Sequence, residues 1–268
     1  MKKNNVILLS IIGVLVVALA VVLVIFANRP KSDNSSTTQT EQTASQTTGS
    51  SSQKSQAELD KLDLPQLSSK VAEDEAEVKI QTSEGDIAIK LFPKIAPMAV
   101  ENFLNLAKDG YYNNNKFFRV IKNFMIQSGD PTGQGTSSKS TVNNNQPFAV
   151  EASDKLYNIR GALSLANTGQ PNSSSSQFFI VQNAQDATAQ IQDPGKYPTK
   201  ILDAYKQGGT PQLDGSYTVF GQVISGLEVV DKIASGEVKA NPSSGEQSSP
   251  VNPVTITGVS VVKGWDFK

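Results

Sequence analysis

Between Phe117 and Asp130 the chain reads Phe-Phe-Arg-Val-Ile-Lys-Asn-Phe-Met-Ile-Gln-Ser-Gly-Asp, one arginine set among strand-forming apolar residues. Residues at even spacing on a strand share a face, so a regular strand carries Arg119, Met125 and Gln127 on one side. Lys122 and Asn123 break the run into Phe117–Ile121 and Phe124–Gln127. A guanidinium cannot shed its charge and is seldom buried without a partner. Taken alone, the run leaves open an exposed arginine on an edge strand and an arginine that serves a site.

The surrounding chain has the same texture. Val78, Ile80 and Thr82 alternate with polar residues, as do Ile87, Ile89 and Leu91 beyond the turn residues Ser83-Glu84-Gly85-Asp86, which predicts a β-hairpin. Pro97 opens a helix whose Val100, Phe103, Leu104 and Ala107 form one apolar stripe, and Gly110 is placed to end it. Further strands are predicted at 161–166, 177–181, 218–223 and 254–262, with a second helix over 227–234. Many strands, Gly- and Asn-rich loops and two helices predict a mainly β fold, an antiparallel β-barrel closed on itself to remove its edges.

Two absences narrow the chemistry. The chain has no cysteine, hence no disulfide, thiolate nucleophile or zinc-thiolate site. It has no histidine, hence no Ser-His triad and no imidazole proton shuttle. No metal site and no cofactor are expected. Lys+Arg 24 against Asp+Glu 25 leaves no basic excess that would point to nucleic acid.

The N-terminal end follows different rules. Lys2 and Lys3 precede an uncharged apolar run from Val6 to Ala27, the length of a bilayer-spanning helix. Ala18-Leu19-Ala20 offers a signal cleavage site, but the apolar run continues past it to Phe26, which favours a retained anchor. Residues 1–28 are therefore expected to be a transmembrane helix and 29–57, rich in Ser, Thr and Gln, a disordered spacer. Residues 58–77, acidic and interrupted by Pro65, form a partly helical connector to a domain at 78–268. This arrangement predicts a single-pass cell-membrane protein with its folded part outside the cytoplasm.

Several motifs closely resemble those of the cyclophilins: Phe118-Arg119-Val120-Ile121 with Phe124-Met125-Ile126-Gln127-Ser128-Gly129-Asp130; Gly161 to Asn167; Ser176-Gln177-Phe178-Phe179-Ile180; and Leu213-Asp214-Gly215 leading to Val219-Phe220-Gly221. They occur in family order over about residues 78 to 268. The resemblance implies an eight-stranded antiparallel closed barrel capped by two α-helices, and peptidyl-prolyl cis-trans isomerase activity on proline-containing polypeptides. It implies Arg119 as the catalytic donor and Gln127 as the residue that orients it. Phe124, Met125, Phe179 and Leu213 would form the proline pocket, with Ala166, Asn167, Gln177 and Tyr217 completing the peptide site.

The absence of histidine and cysteine agrees with that activity, because turning an X-Pro bond moves no proton and breaks no bond. The sequence departs from the family in three places. Gln212 stands where well-known members have a tryptophan, and Tyr217 where they have a histidine. An insertion of about residues 184–211, with a helical turn expected at 199–206, is either functional or a tolerated surface loop. The first two departures bear on substrate preference and inhibitor affinity, and Gln212 implies reduced affinity for the cyclic inhibitor cyclosporin. Two rival readings remain at this level. One is an extracytoplasmic module that binds proline peptides without useful turnover. The other is a chaperone that engages clients through the insertion.

Overall fold

The computed structural model describes residues 54–267. The expected membrane helix and most of the expected spacer lie outside the described residues. Among the described residues no helix is long and apolar enough to cross a membrane.

The elements run α1 (Gln56–Leu59), β1 (Ala76–Thr82), β2 (Gly85–Leu91), α2 (Pro97–Lys108), β3 (Arg119–Ile121), β4 (Met125–Ser128), β5 (Ala162–Leu165), β6 (Phe178–Val181), α3 (Thr199–Tyr205), β7 (Val219–Ser225), α4 (Leu227–Ala234), β8 (Val238–Ala240), β9 (Gln247–Pro250) and β10 (Ile256–Lys263). Eight strands form one antiparallel sheet in the order β10-β1-β2-β7-β5-β6-β4-β3. Both expected main helices, α2 and α4, are present.

The closed barrel needs correction. The sheet is a curled half-barrel whose end strands, β3 and β10, do not pair. Its ends meet where the start of β10 and the segment before it face the segment before β3. Phe117 N donates to Val254 O at 3.0 Å, and Ile256 N to Asn115 O at 2.8 Å. The reason is length: β3 is three residues long and is consumed by the turn at Lys122–Asn123, where Asn123 takes a left-handed φ of 60°. The free side of β3 is instead flanked by β9 of a separate two-stranded hairpin, β8–β9, an arrangement that shields an exposed edge.

Alternation along the strands sorts side chains into two apolar clusters. Val120, Ile126, Phe178, Ile180, Leu163 and Leu165 point into the curl with Val100 and Phe103 of α2 and Val230 and Ile233 of α4. Phe103, Tyr112 and Phe178 pack there with ring centroids 4.8–5.6 Å apart, contacts worth about 0.5–1.5 kcal/mol each beyond area burial. The alternate residues Met125, Ala162, Phe179, Val181 and Val219 form the second cluster, on the other face.

Residues before β1 are part of this structure. Gln66 is buried; it donates to Tyr157 O and Gln222 Oε1 and accepts from Tyr157 N. Lys90, 1% exposed, pairs with Glu75 at 3.1 Å and donates to Pro65 O at 2.6 Å. The insertion is ordered too. Ala187, Ile201 and Tyr205 bury themselves against Tyr157 and Ile159 in a third cluster, and α1 reaches it through Asp60, which accepts from Thr199 N at 2.6 Å.

Candidate active site

Arg119 and Gln127 face each other as directly paired residues of β3 and β4. The turn at Lys122–Asn123 folds the Phe117–Asp130 run back on itself, so the expected common face is realised across a ladder instead of along one strand. Arg119 Nη1 lies 3.4 Å from Gln127 Oε1 and 3.9 Å from Met125 Sδ. Its guanidinium carbon is 6.0 Å from the centre of the Phe124 ring.

Gln127 is held in turn. Its Nε2 donates to Gln177 Oε1 at 3.1 Å, and Gln177 Nε2 donates to the carbonyls of Gly135 and Ser137 at 3.1 and 3.0 Å. The loop bearing those carbonyls is organised by Asp130, whose carboxylate accepts from the backbone N–H groups of Thr132, Thr136 and Ser137. Gly129 permits the close approach. Its φ is 90°, and a Cβ there would lie 2.3 Å from Ser176 O.

The apolar floor is the second cluster. Met125 and Phe179 are buried, with Phe124, Ala166, Leu213 and Tyr217 packed around them. Tyr217 meets Phe179 edge-on, with centroids 5.5 Å apart at 84°. Ala166 N donates to Gln177 O at 2.9 Å. Asn167 Nδ2 donates to Ser216 O at 2.9 Å, binding the loop after β5 to the segment before β7. The ten residues singled out from the sequence thus come together: a cation over an apolar floor, with two glutamines behind it.

The sequence reasoning missed other members. Phe92, Leu156, Ala162 and Val219 belong to the floor, with Ile95 and Ile121 beside them; each reads as ordinary core from its own neighbourhood. Glu246 was missed entirely. Its carboxylate takes Arg119 Nε–H at 2.6 Å and Nη2–H at 2.8 Å. The hydrogen bond from Arg119 is the largest cause holding its carboxyl below the ordinary glutamate range. A single acid among Asn, Pro, Ser and Gly carries no periodicity that could announce it.

The model of the family described as cyclophilin type peptidyl-prolyl cis-trans isomerase/CLD matches residues 77–261. The chain belongs to the cyclophilin family. It is an enzyme of that class, a peptidyl-prolyl cis-trans isomerase. A Staphylococcus aureus relative named for peptidyl-prolyl cis-trans isomerase activity is 45% identical over 201 residues, covering 74% of this chain and 97% of its own length. A similarly named Staphylococcus saprophyticus protein is 42% identical over 203 residues, covering 74% and 98%. Among solved structures, the cyclophilin type isomerase of Cryptosporidium parvum superposes with a TM-score of 0.56 at 30% identity, covering 71% of this chain and 99% of its own. Its structure in the presence of the dipeptide Ala-Pro gives a TM-score of 0.55 at 30% identity, covering 70% and 99%.

Proposed function

We propose that this cyclophilin isomerises X-Pro bonds by donating a hydrogen bond from Arg119 to the prolyl nitrogen, over a floor of Phe124, Met125, Phe179 and Leu213. The carrying observation is a guanidinium held at the rim of a buried apolar cluster. Amide resonance sets a barrier of about 18–20 kcal/mol. Twisting the bond frees the nitrogen lone pair, which a fixed donor then engages; the planar ground state offers little lone pair to bind. That is preferential stabilisation of the transition state. One charge-assisted hydrogen bond supplies about 1.5–3 kcal/mol, ten- to a hundredfold in rate. Exclusion of water from the amide and restriction of the peptide supply the rest. Ala166, Asn167, Gln177 and Tyr217 flank the floor and bind the neighbouring peptide, and Gln127 helps orient the arginine and the substrate carbonyl.

The test is a protease-coupled proline isomerisation assay on the full chain. Arg119→Ala is expected to lower turnover about tenfold or more, with peptide binding reduced much less. Arg119→Lys rescues poorly, because an ammonium lacks the planar fork. Full turnover from Arg119→Ala would refute this mechanism.

The Val6–Ala27 run and the polar spacer after it support the further reading that the enzyme is tethered outside the membrane and acts on exported polypeptides. It is then expected in the membrane fraction, with its domain digested by protease added to intact cells. A soluble form beginning near Val21 or Asn28 would mark the segment as a cleaved signal.

A further inference from the structure

Arginine has a long, flexible side chain, and a donor that acts only on a twisted amide must be held at one angle. Gln127 is a weak restraint, since its 3.4 Å contact lies beyond the usual hydrogen-bond range. The short contacts of the guanidinium come from Glu246, at 2.6 and 2.8 Å. They are bidentate, the geometry that best fixes a guanidinium plane. Among the described residues Glu246 is the one acid in ion-pair contact with Arg119.

The edge it takes is informative. A guanidinium has five N–H donors. Glu246 uses Nε–H and one hydrogen of Nη2, while Nη1 faces Met125 and Gln127, toward the apolar floor. Nη2 keeps one further hydrogen, and both hydrogens of Nη1 stay on the pocket side with only the long contacts to Gln127 and Met125. The carboxylate therefore braces the outer edge and leaves donors toward the pocket.

The brace is itself built. Glu246 closes the turn of the β8–β9 hairpin, where Asn241 N donates to Glu246 O at 2.7 Å and Gly245 N to Asn241 O at 2.8 Å. Asn241 Oδ1 accepts from Ser243 N at 2.9 Å. Since β9 lies beside β3, the hairpin delivers the carboxylate to the arginine across the free edge of the sheet.

We propose that Glu246 is a positioning residue of the isomerase site, holding the Arg119 plane so that its remaining N–H groups meet the prolyl nitrogen. This rests on the reading of Arg119 as the donor. It acts on turnover more than on binding, because the bond it aligns forms in the twisted state.

The test measures kcat and KM on the full chain for Glu246→Gln, Glu246→Asp, Arg119→Ala and the double variant Arg119→Ala/Glu246→Gln. Glu246→Gln is expected to lower kcat about five- to tenfold, as for a slightly misplaced catalytic group, with KM changed less than about twofold. Glu246→Asp, which keeps the charge, retains more turnover than Glu246→Gln. The double variant falls no further than Arg119→Ala, the non-additivity of residues acting as one unit. A further fall in the double variant by the full Glu246→Gln factor would place the effect in the hairpin fold and overturn the proposal. Unchanged or faster turnover in Glu246→Gln, with Arg119→Ala still impaired, would make Glu246 a bystander or a shield while leaving Arg119 as donor. Full turnover in Arg119→Ala would remove the underlying reading instead.

Discussion

The hydroxyl of Tyr205 donates to the carboxylate of Asp214 at 2.5 Å, and this bond ties the 184–211 insertion to the residue that follows Leu213 of the proposed proline pocket. Asn158 donates to the other carboxylate oxygen through its backbone N and Nδ2, at 2.7 and 2.9 Å. Burial pushes Asp214 above the ordinary aspartate range, against the pull of these hydrogen bonds. The same burial, followed by the nearby Asp214 charge, pushes the Tyr205 hydroxyl far above its usual range. The insertion is thus packed onto the domain, not a loose loop. It is a small packed cluster joined through Asp214 to the segment that carries Leu213.

Tyr205→Phe keeps the buried ring and removes the donor. A hydrogen bond to a charged group contributes about 1.5–3 kcal/mol, which for a domain of this size is a fall in Tm of roughly 3–12 °C. Because Leu213 adjoins Asp214, kcat/KM for a proline peptide is also expected to fall, mainly through KM. A melting temperature within a degree of the parent would show that the bond supports nothing.

Removal of Glu75 tests whether the residues before β1 are structural. In Glu75→Ala the buried Lys90 ammonium keeps the Pro65 and Lys70 carbonyls but loses its counter-charge. Breaking a buried pair from one side costs about 3–5 kcal/mol, a large share of the 5–15 kcal/mol that holds a typical domain. Replacing both members, as Glu75→Ala/Lys90→Met, is expected to restore part of the loss, since the uncompensated charge goes with the lysine. Thermal unfolding of the two variants decides the point, and equal melting temperatures would contradict it.

What was legible follows from which interactions are local. The β1–β2 hairpin, α2, α4 and the central strands declare themselves by period, because each buries one face against a single core. Arg119 and Gln127 are expected on one side of a strand and linked by the family resemblance, but the β3–β4 ladder that pairs them was not read, because the turn at Lys122–Asn123 between them is short. Closure of the barrel could not be read, since it depends on β3 being cut short by Asn123 and on β9 lying alongside. The β8–β9 hairpin was invisible for a related reason: Val-Lys-Ala and Gln-Ser-Ser-Pro bury too little to leave a pattern. Glu246 went with it. Glu75, Gln66 and Asp214 owe their roles to partners 15, 91 and 56 positions away, and such pairings leave no trace in local composition.

The pH profile provides a third check. The chain has no histidine and no cysteine, so no side chain with an ordinary pKa between about 6.5 and 8.5 is present. Glu246 is shifted downward, with the Arg119 hydrogen bond as the largest cause, and stays ionised throughout neutral pH. A carboxyl with a lowered folded pKa contributes stability that is complete above its unfolded value, about 4.3 for glutamate, and is lost as pH falls through the lowered value. Measured kcat/KM is therefore expected to be flat from about pH 6.5 to 8 and to decline only in acid. A bell-shaped profile centred near neutrality would require an ionisation this site does not contain.

Gln212 supplies the last prediction. It is exposed in the 3-10 turn Pro211–Leu213, next to Leu213 but outside the apolar cluster. In cyclophilins that carry a tryptophan here, the indole offers a donor and a broad apolar face to cyclosporin; glutamine keeps a donor and loses most of the face. A fully enclosed aromatic buries about 150–250 Å², and at about 25 cal/mol per Å² the loss of a third of that weakens binding by roughly 1.3–2 kcal/mol. That corresponds to about ten- to thirtyfold in Kd. A small proline peptide seated on Met125 and Phe179 depends little on this outer wall. The unmutated enzyme is thus expected to turn over peptides while binding cyclosporin about ten- to thirtyfold more weakly than a tryptophan-bearing relative. Gln212→Trp should recover much of the difference with kcat/KM nearly unchanged. Titration of both forms with cyclosporin in the isomerisation assay is the measurement. Nanomolar inhibition of the parent, or no gain from the tryptophan, would clear Gln212 and shift attention to Tyr217, whose ring already packs edge-on against Phe179.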